Sequence, residues 1–199
     1  MTFYRFLRIT LAPLFKLLFR LEVSPAFQGN EKGAVVISNH CSNLDPLALS
    51  LAIELPLAFM AKIEIFKNPL IAAFISACGA FPVQRGGGGR PAIEAAIAQA
   101  RAGKMVAMFP EGTRSRDGKM APFKAGAAII ALEAGVPILP VFIQGSFRAL
   151  PRGSFFPRLG SRLAVRIGAP IDPAPFLDAP DGIARLTERC REALEELNK

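Results

Sequence analysis

The chain has 199 residues, 51% of them hydrophobic, which is enough for one globular domain with its own core and no need of disulfide or metal support. Its 24 Lys and Arg exceed its 16 Asp and Glu and give a net charge of +8, so we expect an anionic partner. Three widely spaced cysteines disfavour a disulfide framework or a zinc site, and 16 Phe in mostly apolar runs, with one Tyr and no Trp, disfavour nucleic-acid binding.

The first 21 residues predict an amphipathic, basic helix. Apolar side chains recur at helical spacing, namely Phe6, Leu7, Leu11, Leu14, Phe15, Leu18 and Leu21, while another stripe carries Arg5, Arg8, Lys16 and Arg20. The longest uncharged stretch, residues 9–15, is far shorter than the roughly 20 residues that a membrane-spanning helix needs. We therefore expect residues 1–21 to lie in a membrane interface, with packing of a terminal helix on the core as the alternative. Residues 22–199 then form the remaining domain.

Beyond this helix, short apolar runs alternate with helical patterns. We predict strands at residues 35–38, 58–61, 80–83, 105–109, 138–143 and 163–167. We predict helices at residues 46–54, 69–77, 91–102, 123–134 and 181–197, and the first three of these begin with a proline, as helices often do. This alternation indicates an α/β domain with a largely parallel central sheet flanked by helices.

Polar motifs follow three of these predicted strands. His40 follows the first strand, Arg85 follows the strand that ends at 83, and Glu111-Gly112-Thr113-Arg114 follows the strand that ends at 109. The carboxyl ends of parallel strands share one edge of a sheet, and open α/β sheets bind their ligands there. We therefore expect the three motifs to converge on one rim.

The first motif suits acid-base chemistry. His40 is the only histidine of the chain, and it stands in Asn39-His40-Cys41-Ser42-Asn43-Leu44-Asp45. In a continuous helix positions 40 and 45 would be about 140° apart, whereas a strand-to-helix turn would let Asp45 hold one ring nitrogen while the other faces a substrate. Because Cys41 and Ser42 are too close in sequence to point readily at the same ring face, we expect His40 to activate a substrate hydroxyl. The alternative is a histidine that lies in an ordinary surface turn or caps a helix.

Basic side chains near the same rim suit an anionic substrate. Arg85 and Arg114 each come just past a predicted strand, and a guanidinium group can bind phosphate with two hydrogen bonds. Lys124 flanks this rim, and the turn around Gly112 can add backbone N–H groups. We interpret Arg116, beside an Asp-Gly turn, as a surface charge. The segment lacks the Gly-Lys-Ser/Thr of a nucleotide-binding loop, and one histidine with scattered cysteines makes a poor metal-ligand set.

Four motifs in this order resemble those of the glycerolipid acyltransferases. They are residues 39–45, Gly79-Ala80-Phe81-Pro82-Val83-Gln84-Arg85, Phe109-Pro110-Glu111-Gly112-Thr113-Arg114-Ser115 and Val136-Pro137-Ile138-Leu139-Pro140-Val141. The resemblance covers roughly residues 20 to 170 and is strongest to the bacterial 1-acylglycerol-3-phosphate acyltransferases. One departure is Gln84, where many members of the family carry an acidic residue.

The resemblance implies an enzyme of phospholipid biosynthesis. Such an enzyme moves a fatty acyl group from acyl-CoA or acyl-carrier protein to the free hydroxyl of lysophosphatidic acid, without a cofactor or a covalent acyl-enzyme. The resemblance implies that His40 is the general base and Asp45 its orienting acid. It implies substrate binding by Arg85, Glu111, Gly112, Thr113, Arg114, Lys124 and Pro140, with the arginines on phosphate, Glu111 on a hydroxyl or on the arginines, and Pro140 near the acyl donor or in a structural role.

Other functions are compatible with the same residues. The acyl acceptor could be another lysolipid, such as lyso-ornithine lipid; the chain could be a membrane lipid-binding protein without turnover; or it could be a thioesterase. We expect membrane lipids, a lysophospholipid acceptor and an acyl donor as partners, with no nucleic acid among them. The expected place is peripheral, on the cytoplasmic face of the cell membrane.

Overall fold

A computed structural model describes residues 3–25, 33–53, 55–83 and 89–199, and for residues 3–8, 62 and 74 it describes the backbone only. The strands are β1 (Glu22–Ser24), β2 (Ala34–Ser38), β3 (Leu57–Lys62), β4 (Phe81–Val83), β5 (Met105–Met108), β6 (Ile138–Gln144) and β7 (Ala164–Ile167). The α-helices are α1 (Phe3–Phe19), α2 (Asp45–Ala52), α3 (Pro69–Ala77), α4 (Arg90–Arg101), α5 (Gly126–Ala134), α6 (Ser146–Ala149) and α7 (Gly182–Leu197). Short 3₁₀ helices cover Ile63–Lys67 and Ala174–Phe176.

All six strands and five central helices predicted from the sequence are confirmed, with boundaries that move by at most a few residues. The sequence patterns missed β1 and α6, which have three and four residues and are too short to show a period. Prolines stand in the first turns of α2 and α4, where their fixed φ suits a helix and their missing N–H is not needed.

The strands form one seven-stranded sheet in the order β1-β7-β6-β2-β5-β3-β4. Neighbouring strands run parallel except β6 and β7, which are antiparallel, so the expected largely parallel α/β sheet is confirmed. All five residues of β2 are buried, because this strand has a neighbour on each side and helices over both faces of the sheet.

Alternate residues of β2 enter two different hydrophobic cores. Val36 packs on one face of the sheet with residues of α1 and α2, among them Phe15 and Leu49. Val35 and Ile37 pack on the other face with residues of α4, α5 and α7. The period of two that a strand imposes on its side chains thus builds both layers from one short segment.

Helix α1 has one side on the core and one side exposed. Phe15 and Phe19 are buried against the sheet, whereas Leu14 and Leu17 are exposed, Leu17 by 78%. Packing on the core, the alternative considered above, therefore describes one side of the helix, and the interfacial role of the other side stays a prediction. Among the described residues, no helix combines the length and the apolar character needed to cross a bilayer.

Candidate active site

The turn between β2 and α2 carries His40 and begins with a side chain that imitates backbone pairing. Asn39 is buried, and its Nδ2 donates to the Ile143 carbonyl at 2.9 Å while its Oδ1 accepts from the Ile143 N–H at 2.8 Å. The amide thus extends the contact between β2 and β6 by one residue after the β2 ladder has ended. It fixes the chain immediately before His40. Sequence reasoning missed this role, although a polar residue directly after a buried strand is a usable signal.

The turn then brings His40 and Asp45 into contact. Nδ1 of His40 lies 2.9 Å from Oδ2 of Asp45, and the same oxygen accepts from the N–H groups of Cys41 and Ser42, both at 2.7 Å. Asp45 is the first residue of α2 and is fully buried. Three groups therefore hold one carboxylate oxygen, and that oxygen fixes the imidazole through Nδ1. Nε2 is left as the ring nitrogen that can meet a substrate.

The loop after β5 holds His40 from the other side. The backbone N–H of His40 donates to Oε1 of Glu111 at 2.8 Å, and the His40 carbonyl accepts from the Ser115 N–H at 2.7 Å. Phe109 stacks on the imidazole with ring centroids 3.9 Å apart and planes 14° apart. The imidazole keeps 18% of its side-chain surface exposed, so it is held firmly without being sealed. The stacking partner was not predicted, although Phe109 directly follows β5.

Glu111 serves this loop with both of its oxygens. Oε1 accepts from His40, and Oε2 accepts from the Ala121 N–H at 2.8 Å. Burial raises the pKa of Glu111, and the two backbone hydrogen bonds oppose that increase. No arginine among the described side chains pairs with this carboxylate, so its visible contacts orient the backbone of the site.

Neither residue after His40 is available as a nucleophile. Burial raises the pKa of the Cys41 thiol to about 12, and the negative charges of Asp45 and Glu111 add to the increase. The thiol therefore stays protonated near neutral pH. Ser42 is buried as well, and its Oγ accepts from the Leu44 N–H at 3.1 Å.

The loop after β5 carries two cations that have no acidic partner among the described residues. Arg114 is half-buried and Lys124 is exposed, and neither forms an ion pair with a described residue. Lys124 lies against Gly112: a Cβ at position 112 would be 2.8 Å from its Nζ, and Gly112 has a φ of +72°. The Lys124 N–H donates to the Pro110 carbonyl at 2.9 Å, which ties the two segments together. Their positive charge is left for an anion from outside the described chain.

Three other predicted residues differ in their surroundings. Thr113 is exposed, and its Oγ1 accepts from Nη1 of Arg152 at 3.4 Å. Pro140 lies buried inside β6, opposite Ile37 of β2, and is therefore within the sheet rather than at its rim. Arg85 lies outside the described residues, as does Gln84. The structure therefore brings together His40, Asp45, Glu111, Gly112, Thr113, Arg114 and Lys124 around the ends of β2 and β5.

A cleft of about 690 Å³ lies between the segment before α5 and the segment that joins the second 3₁₀ helix to α7, and it is lined by both segments and by the first turns of α7. Phe123 and Ala125, the neighbours of Lys124, line it, but His40 does not. A second cleft of about 440 Å³ is lined by Leu57 and Met105, the first residues of β3 and β5. It therefore lies at the edge of the sheet opposite to His40.

Comparison with known proteins gives a consistent set of matches. Residues 20–144 match the family model described as acyltransferase. The chain is 32% identical to a 1-acyl-sn-glycerol-3-phosphate acyltransferase of Bacillus subtilis, over 84% of this chain and 82% of the relative. A chloroplastic relative from Brassica napus is 37% identical over 60% of this chain, which spans only 35% of the relative's length.

A solved structure matches as well. It is the crystal structure of the 1-acyl-sn-glycerophosphate acyltransferase from Thermotoga maritima, with a TM-score of 0.79 and 28% sequence identity. The match covers 98% of this chain and 79% of that one. The likeness therefore extends over the whole sheet and both helical layers.

The state of Cys41 can be measured directly. In a variant that retains only this thiol, Cys78→Ser with Cys190→Ser, we expect iodoacetamide at pH 8 to react roughly 10³-fold more slowly with native protein than with unfolded protein. Since the thiol pKa is about 12, the native rate should still be rising with pH at pH 10. A variant that retains only Cys78, which is partly exposed, is the control and should react faster. Equal native and unfolded rates for Cys41 would contradict the assignment.

Proposed function

Since this chain belongs to the acyltransferase family, we propose that it transfers a fatty acyl group from acyl-CoA or acyl-carrier protein to the free hydroxyl of 1-acylglycerol-3-phosphate. One observation carries the proposal: His40, whose imidazole is oriented by buried Asp45, is hydrogen-bonded to the loop after β5, and that loop bears two cations with no carboxylate to neutralise them among the described residues. A base beside an anion site is what an acceptor with both a hydroxyl and a phosphate requires.

The reaction follows from the orientation of His40. With Nδ1–H directed at Asp45, Nε2 accepts the proton of the acceptor hydroxyl as its oxygen attacks the thioester carbonyl. Asp45 stabilises the imidazolium that forms. The tetrahedral intermediate collapses, the C–S bond breaks, and the proton on Nε2 passes to the departing thiolate. The products are the new ester and a free thiol, so the imidazole returns to its starting state and no cofactor is consumed.

Direct transfer is supported by the state of the neighbouring side chains. Cys41 is protonated and buried, and the hydroxyl of Ser42 is engaged within the turn. Neither side chain is placed to carry an acyl group. The acceptor hydroxyl is therefore the nucleophile of the proposed reaction.

The proposed phosphate site is formed by Arg114 and Lys124. The ammonium group of Lys124 adjoins Gly112, where the absence of a Cβ lets it approach the turn, and Arg114 lies two residues further along the same loop. We assign Arg85 and Thr113 to the same acceptor site, and a structural role to Pro140, which is buried within the sheet. Glu111 holds the backbone of both the base and the turn. Two uncompensated cations bind an anionic phosphate headgroup more strongly than the zwitterionic headgroup of lyso-ornithine lipid. The proposal therefore favours the phosphate-bearing acceptor.

We also propose that the enzyme works on the cytoplasmic face of the cell membrane as a peripheral protein. Residues 1–21 then contribute a membrane-interface helix, and residues 22–199 form the acyltransferase domain. The exposed Leu14 and Leu17 support this placement, because they offer apolar area beside exposed Lys16 and Arg20.

Replacing the base tests the chemistry. We expect His40→Ala to lower the rate of acyl transfer to lysophosphatidic acid by roughly 10³-fold or more, because the variant lacks the base that takes the hydroxyl proton in the proposed reaction. The measurement is a radiolabelled acyl-transfer assay, with circular dichroism to verify folding. Cys41→Ala is the matched control and should retain most of the activity. Full activity of His40→Ala would end the proposal. If the wild type shows no turnover and His40→Ala binds lipid as well as the wild type does, the chain is a lipid-binding protein instead.

Removing one cation tests the phosphate site. We expect Arg114→Ala to raise the apparent KM for lysophosphatidic acid by about tenfold or more, which corresponds to the loss of one charged hydrogen bond, and to leave the KM for the acyl donor nearly unchanged. Arg116→Ala, an exposed neighbour, should change neither constant. The opposite order of effects for Arg114→Ala would reassign this arginine to the donor.

The interfacial helix needs a test that spares the core. Removing residues 1–21 would also remove Phe15 and Phe19 from the core, so we choose Leu14→Ser with Leu17→Ser instead. We expect roughly tenfold weaker sedimentation with anionic vesicles, because exposed leucines lose apolar contact with the lipid. Leu177→Ser with Ile183→Ser is the control, since these exposed residues belong to the layer on the other face of the sheet. Equal binding by all three proteins would remove α1 from the membrane interface.

A further inference from the structure

The segment between α6 and β7 exposes two adjacent aromatic side chains. Phe155 is 92% exposed, Phe156 is 87% exposed and Leu159 is 63% exposed. We call residues 151–163 the 151–163 loop. Single exposed apolar residues are common on soluble proteins, but neighbouring phenylalanines at this exposure form an apolar tip that water does not favour. Neither phenylalanine has a role in the proposed chemistry.

Backbone hydrogen bonds fix this loop, so the two phenylalanines are held at a defined position on the surface. The Gly160 N–H donates to the Leu18 carbonyl at 2.7 Å, and the Leu163 N–H donates to the Phe19 carbonyl at 3.0 Å. The Arg158 N–H donates to the Ala149 carbonyl at 2.7 Å. Two of these three bonds join the loop to the C-terminal end of α1. The apolar tip is therefore attached to the helix that already exposes Leu14 and Leu17.

The loop and its flanking residues carry charge of one sign only. From residue 145 to residue 163 the chain carries four arginines and no Asp or Glu. Arg162 pairs with Glu22, whereas Arg148, Arg152 and Arg158 have no acidic partner in the part of the chain that the structure describes. Apolar side chains surrounded by cations match the boundary between the acyl chains and the headgroups of an anionic bilayer.

The same loop touches the proposed acceptor site. Nη1 of Arg152 donates to the Arg114 carbonyl at 3.1 Å and to Oγ1 of Thr113 at 3.4 Å. The turn that bears Arg114 is thereby connected to the loop that bears the aromatic tip. The position of the aromatic tip therefore determines the position of the rim of the candidate active site.

We propose that the 151–163 loop is a membrane-insertion loop, which lodges Phe155 and Phe156 in an anionic bilayer and sets the rim of the candidate active site at the bilayer surface. The inference rests on the proposed function in one respect, namely that the acyl acceptor lies in that bilayer. A second copy of the chain is a poorer occupant for this surface. In a symmetric dimer the arginine-rich faces would meet each other and repel.

Vesicle binding without turnover tests the insertion. With vesicles of equimolar phosphatidylcholine and phosphatidylglycerol, we expect Phe155→Ser with Phe156→Ser to sediment at least about tenfold more weakly than the wild type. Leu177→Ser with Ile183→Ser, which also removes two exposed apolar side chains, should bind as the wild type does. Unchanged binding by the Phe155/Phe156 variant overturns the proposal. So does a wild-type dimer that this variant converts to a monomer in the absence of lipid.

Two forms of the acceptor separate this inference from the proposed function. On a short-chain lysophosphatidic acid dissolved as monomers, the Phe155/Phe156 variant should keep the kcat/KM of the wild type, because the base and the phosphate site are untouched. On the same headgroup embedded in vesicles, its rate should fall in parallel with binding. An equal loss on both forms would overturn the insertion role in favour of a structural one. If the wild type acylates neither form, the proposed function fails, while the vesicle-binding result still decides the loop.

Discussion

The buried carboxylate of Asp45 is the group on which the candidate active site depends. A carboxylate loses its hydration on burial, and hydrogen bonds must replace that hydration if the charge is to persist. Here Oδ2 accepts from the N–H groups of Cys41 and Ser42 and also meets Nδ1 of His40. Satisfying one oxygen therefore folds residues 40–45 into a turn, begins α2 and orients the imidazole. Chain geometry and chemistry are set by the same interaction.

The parallel sheet explains how this turn is held from both sides. β2 lies between β5 and β6, and each neighbour supplies a contact just past the point where β2 ends. The backbone of Ile143 in β6 pairs with the side chain of Asn39, and the loop after β5 directs Glu111 at the His40 N–H. Side chains thus continue the hydrogen bonding of the sheet where its backbone ladder stops. Strand register therefore fixes the position of the candidate base.

Local sequence patterns predicted the strands and helices well. They predicted few of the contacts between segments that are distant in sequence. The run of apolar residues before His40 predicted β2, and the spacing to Asp45 in a strand-to-helix turn predicted their approach. Asn39 and Ile143, 104 residues apart, pair through a register that no local pattern encodes. A helical period also cannot tell which apolar side faces the core: in α1 it is Phe15, while Leu17 faces outward. Likewise, Phe155 and Phe156 read as ordinary apolar residues until the fold exposes them.

The double attachment of His40 through its own N–H and carbonyl has a consequence for selectivity. The loop that binds those two backbone groups also bears Arg114. Main-chain hydrogen bonds therefore fix the distance between the candidate base and the turn that carries the guanidinium group. Under the proposed function, a lipid whose hydroxyl lies nearer to its phosphate, or farther from it, would contact only one of the two groups. Regioisomers of one lipid would then differ in rate because of that distance alone.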